Sequence, residues 1–80
     1  MQEQIGYTVR GAKMEMMISI LLWMQVMFGG GVYSQVQYDN LVVANQDMIN
    51  RVMADPVLSK SVYDQWGVVA PTVTVLEEVE

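Results

Sequence analysis

The chain contains no cysteine and no histidine. Those two absences exclude disulfide staples, thiolate or imidazole metal sites, cysteine nucleophiles and histidine acid/base chemistry. Charge is scarce as well: 16% of the residues are charged while 52% are hydrophobic, against roughly 25% charged in an average soluble domain. Four basic residues spread over 80 leave no nucleic-acid footprint. No glycine loop carries the lysine that phosphate binding needs, since Gly29, Gly30 and Gly31 have neither that lysine nor a strand before them. The acids Glu77 and Glu78 are adjacent in a tail, where carboxylates are ordinarily solvated, and nothing completes a metal set around them. The sequence therefore points away from an enzyme, with no catalytic residue, no cofactor, no metal and no small-molecule substrate expected.

What is present is apolar bulk, and it is local. Residues 16–38 contain no charge, and within residues 16–28 only Ser19 and Gln25 are polar. Wound as a helix, residues 16–33 span roughly 27 Å at about 1.5 Å per residue, close to the roughly 30 Å hydrocarbon core of a bilayer. At 100° per residue the apolar side chains surround the helix, so it requires burial in protein or lipid. Ile18, Ile20, Leu21, Leu22, Val26, Phe28 and Val32 each favour insertion by about 0.3–0.6 kcal/mol. The resulting expectation is a mainly α protein with one transmembrane helix over residues 14–33, preceded by a polar segment, residues 1–13.

Basic residues set the expected orientation. Arg10 and Lys13 stand just before the run, and the next base is Arg51, which places the N-terminus inside. Residues 39–80 hold seven acids and two bases, so the whole net charge of −5 belongs to that half. The basic start, apolar core and small residues also resemble a secretory signal peptide in outline, but the run is expected to be retained as a span. Arg10 and Gly11, followed by an apolar helix containing Glu15, partly resemble a type IV prepilin leader. If cleavage followed Gly11, the acid would sit one place early, and the family pattern is broken there.

Residues 34–67 read as amphipathic helices forming a short hairpin. Leu41, Val42, Met48, Ile49, Val52 and Met53 make one apolar stripe, with Asp47 and Arg51 as an i,i+4 pair on the outer side. Asp55 before Pro56 is an N-cap followed by proline at the first helical position, and Gly67 supplies a stop, which predicts a helix over residues 56–66. Leu58, Val62 and Trp66 recur at i, i+4 and i+8 and are expected to dock on the preceding helix. In the extended acidic tail, residues 68–80, Pro71 blocks helix and residues 72–76 are β-prone. A lone strand needs a partner, either another chain or, in a soluble fold, the alternating Ile5, Tyr7 and Val9.

Ser19, Gln25 and the three glycines are the candidate helix-interface residues, because a mid-membrane amide seeks a partner and small residues admit close approach. Met14, Met16, Met17, Met24 and Met27 read as adaptable filler in helix contacts rather than a copper site. The expected partners are other protein subunits or copies of the chain, and membrane lipid. These features suggest a small single-pass structural or accessory subunit of a membrane complex or a membrane-containing virion. Two other classes fit: a holin-like membrane-permeabilising protein, and a soluble oligomeric structural protein of a virion in which residues 14–28 form a buried interface helix. Filamentous-phage coat proteins are small one-helix proteins too, but their basic genome-binding cluster is missing here.

Overall fold

The structure, a computed structural model, describes residues 12–76. Helix α1 (Ala12–Trp23) is followed by a turn, strand β1 (Val32–Ser34), helices α2 (Gln35–Ala44), α3 (Gln46–Ala54) and α4 (Pro56–Trp66), a single 3-10 turn (Ala70–Thr72) and strand β2 (Thr74–Leu76). Most of the described chain is helical, as the sequence leads one to expect, but the transmembrane helix is not there. No helix among the described residues is long and apolar enough to cross a membrane. The single-pass assignment over residues 14–33, its inside orientation and the membrane or virion-membrane location are corrected accordingly.

The physical reason lies at the end of α1. Twelve residues make only about 18 Å of helix. Gln25 then takes a left-handed backbone with φ 69°. Its N–H donates to Leu22 O at 2.9 Å, and Val26 N–H donates to Leu21 O at 3.1 Å. This is the paired hydrogen-bond pattern of a Schellman stop, with Gln25 at the position glycine most often fills. A second reversal follows, where Gly30 has φ 78° and Gly31 N–H donates to Phe28 O at 3.0 Å. The apolar run is thereby cut into a helix, a turn and a strand.

Burial of α1 all round comes from the chain itself. Ile18, Ser19, Ile20, Leu21 and Leu22 are five consecutive residues, each at most 2% exposed. Alpha1 packs against α4, the 3-10 turn, α3 and α2, and its side chains join Met27, Tyr38, Ile49, Val52, Val62, Ala70 and Val73 in one core. The Tyr38 hydroxyl donates to Met17 Sδ at 3.9 Å, joining α2 to α1. The half-buried Met14, Met16 and Met24 line this core.

Local signals position the remaining helices. Ser34 caps α2: its Oγ accepts from Gln37 N–H at 3.0 Å, and Gln37 Oε1 accepts from Ser34 N–H at 2.8 Å, a reciprocal capping box. The single stripe expected across residues 41–53 is divided at Asn45. Its backbone N–H donates to Leu41 O and Val42 O, and its side-chain amide donates to Leu41 O at 2.7 Å, which ends α2. Ile49 and Val52 of α3 are buried, whereas Met48 and Met53 of the proposed stripe are exposed. Asp55 Oδ1 accepts from the N–H groups of Val57 and Leu58 at 3.0 and 3.1 Å, starting α4. Gly67 follows α4 with right-handed φ −63°, so it is not a left-handed stop. It serves close approach instead, since a Cβ there would lie 2.5 Å from Tyr63 O.

The C-terminal strand finds its partner inside the chain. Beta1 and β2 pair in parallel, with Val32 opposite Thr74, Tyr33 opposite Val75 and Ser34 opposite Leu76. A parallel pair needs a long crossover, and α2, α3 and α4 provide it. The extended arm expected to leave the molecule is therefore, over Thr74–Leu76, part of a sheet. The alternating Ile5, Tyr7 and Val9, most of the polar segment 1–13, and the acids Glu77 and Glu78 lie outside the described residues.

Candidate functional site

The interface candidates from the sequence are not brought together. Ser19 is fully buried, and its Oγ donates to Glu15 O at 2.8 Å, one turn back on its own helix. Gln25 is exposed in the turn after α1, where its backbone rather than its amide matters. Gly29 and Gly30 lie against the 3-10 turn and the residue before it, whereas Gly31 lies against Tyr33 and the Phe28 carbonyl. Gly30 N–H donates to Thr72 Oγ1 at 2.9 Å, and Thr72 Oγ1 donates to Val69 O at 2.7 Å. A Cβ on Gly29 would lie 2.8 Å from Val69 Cγ1. Gly29 thus allows a close approach of the two turns that flank the sheet, while Gly30 supplies the left-handed backbone.

Leu58, Val62 and Trp66 do share the inward face of α4. Val62 is 1% exposed, and Leu58 and Trp66 are half-buried against the core. Alpha4 packs against both α1 and α3, and these side chains join the core the helices share. Ser59 Oγ donates to Val52 O, fastening α4 to α3.

The described residues offer little chemistry. No group of three or more His, Cys, Asp or Glu among them is placed to hold a metal ion. The expected pair of Asp47 with Arg51 does not form; among the described residues the ion pair is Lys60 with Asp64 at 2.8 Å, on the exposed side of α4. The Asp64 carboxylate, by hydrogen bond and by charge, raises the Lys60 pKa above its ordinary value.

What the structure does assemble is an apolar surface on β1, α2 and β2. The sheet register puts Tyr33 and Val75 on one face, and both are half-buried against the core. Side chains alternate along a strand, so Val32, Thr74 and Leu76 stand on the other face, where all three are exposed. Helix α2 is apolar on two sides. Tyr38, Leu41 and Val42 face the core, while Val36 and Val43, seven residues apart and hence on one side of the helix, are exposed. With Phe28 in the preceding turn, the large apolar side chains here are 52–73% exposed.

Sequence reasoning marked residues 72–76 as a strand in need of a partner but placed none of Phe28, Val32, Val36 and Val43 on an exposed surface. Phe28 and Val32 fell within the expected span, and Val36 and Val43 lay outside the stripe assigned to residues 41–53. A signal was present: Val36 and Val43 recur at i, i+7 opposite Tyr38, Leu41 and Val42, an excess of apolar residues for a helix with one buried side. No protein-family model, curated protein or solved structure matches the chain.

Proposed function

We propose that this chain is a small structural subunit that acts by binding another protein through the surface formed by β1, α2 and β2. The observation that carries the reading is the concentration of exposed apolar side chains there. Phe28, Val32, Val36, Val43 and Leu76 are half of the ten large exposed hydrophobics in the described chain; Phe28 lies in the turn before β1, and the other four sit on elements that touch one another. Isolated exposed valines need no explanation, but apolar side chains grouped on adjoining elements mark interaction surfaces. The scarcity of catalytic and metal-binding residue types supports an assembly role over a chemical one.

Photo-crosslinking tests this directly. A benzoylphenylalanine replacing Val43, in cells that produce the chain, is expected to give a discrete adduct on irradiation. The same group replacing Val57, which is 80% exposed on α4, serves as the control and is expected to give none. Equal labelling from both positions, or none from either, would refute the reading.

A further inference from the structure

The methionines of the described chain differ in their surroundings. Met48 and Met53 are exposed on α3, Met27 is 2% exposed in the core, and Met14, Met16, Met17 and Met24 are half-buried. Met17 has a polar neighbour as well: the Tyr38 hydroxyl of α2 donates to its Sδ at 3.9 Å. A thioether sulfur is a weak acceptor, and the separation is well beyond the roughly 2.5–3.0 Å of an O–H···O hydrogen bond. The contact thus sets a good donor against a poor acceptor, with an interval between them, at the border of the apolar core.

We propose that Met17 is an oxidation site for hydrogen peroxide whose product the fold retains. The sulfur lone pair takes one peroxide oxygen as the O–O bond breaks. The thioether gives up two electrons and becomes a sulfoxide, and the second oxygen leaves as water with both peroxide protons. The new oxygen is a far better acceptor than the sulfur it joins. A methionine side chain has three rotatable bonds, so this oxygen can turn into the interval and receive the Tyr38 O–H at an ordinary distance of about 2.7–2.8 Å. Oxidation meets a different environment at the other positions. A sulfoxide at Met27 would bring a polar group into the buried core, which is costly, and at Met48 or Met53 it would stand in water and change little. Met17 joins a side open to solvent with a donor already in place, so its sulfoxide is accommodated and α2 stays fastened to α1.

The experiment treats the full chain with hydrogen peroxide in a Met48→Leu, Met53→Leu background, which removes the two exposed sulfurs. Peptide mapping by mass spectrometry follows each remaining methionine. Circular dichroism melting compares the Met17 sulfoxide with the untreated protein, with and without Tyr38→Phe. In the folded protein Met17 is expected to gain oxygen about tenfold or more faster than Met27. Its sulfoxide should melt within about 2 °C of the untreated protein, whereas in Tyr38→Phe the same oxidation should lower Tm by about 4–8 °C. Oxidation of Met17 no faster than that of Met27, a Tm loss of about 4 °C or more with Tyr38 in place, or equal shifts with and without Tyr38→Phe overturns the proposal. The first two results need no Tyr38 variant and decide the matter even if Tyr38→Phe loses the fold.

Discussion

Replacing Gln25 with glycine should stabilise this protein, an unusual expectation for a residue in the middle of an apolar run. Gln25 holds φ at 69° and its side chain is exposed, so little contact is lost when it is removed. An L-residue in the left-handed region costs about 1–2 kcal/mol, and glycine's extra freedom in the unfolded chain offsets about 0.5–1 kcal/mol of the gain. The net expectation for Gln25→Gly is about 0.5–1 kcal/mol of added stability, or about 2–8 °C in Tm for a chain of this size. Gln25→Ala keeps a Cβ at the same φ and should stay within about 0.5 kcal/mol of the parent. Urea unfolding followed by far-UV circular dichroism and by the fluorescence of Trp23 and Trp66 reads the difference, with the urea slope unchanged. A helix continuing through residue 25 gives the opposite sign, since glycine in a helix interior destabilises by roughly 0.5–1 kcal/mol. A destabilised Gln25→Gly would therefore refute the stop at Trp23 and the fold built on it.

Four further substitutions probe other parts of the fold by the same unfolding assay. Asp55→Ala removes the acceptor for two N–H groups at the start of α4 and should cost about 0.5–2 kcal/mol. Val62→Ala opens space beneath α1 at a side chain 1% exposed and should cost about 2–3 kcal/mol, whereas Val57→Ala, 80% exposed on the same helix, should cost less than about 0.5 kcal/mol. Thr72→Val keeps the shape but removes the hydroxyl between Gly30 N–H and Val69 O. Its expected cost is about 0.5–1.5 kcal/mol, with faster amide exchange at Gly30 as the local sign.

The legible parts of this fold were those specified within a few residues. Asp55, Pro56 and Gly67 bound a helix that runs from Pro56 to Trp66, because an N-cap and a fixed proline φ act within a single turn. The demand of α1 for burial on every side was legible too, but side-chain hydropathy does not distinguish a protein core from lipid. Continuity misled where the backbone changes direction without a change in polarity. Gln25 carries no sequence mark of a left-handed φ, and Val32–Ser34 is three residues whose partner lies beyond three intervening helices. Ser34 and Gln37 spell a capping box that the charge-free stretch overshadowed. Asn45 interrupts a stripe that is regular on paper because its side chain and backbone both take carbonyls from the end of α2. The candidate surface was obscured for a related reason: with residues 14–33 assigned to lipid, an exposed Phe28 or Val32 had no place in the scheme.

Amide hydrogen exchange along residues 18–31 in detergent-free buffer tests most directly whether this apolar run is folded into the protein's own core. The amides of Ile20, Leu21 and Leu22, in a helix enclosed by α2, α3, α4 and the 3-10 turn, should exchange only through global unfolding, at the free energy the urea titration gives. Protection should fall sharply after Met27, because Phe28 N–H bonds to the Tyr33 hydroxyl at an exposed site and to no helix carbonyl. Uniform protection through residue 31, or none at Ile20 to Leu22 until detergent or lipid is added, would contradict the fold.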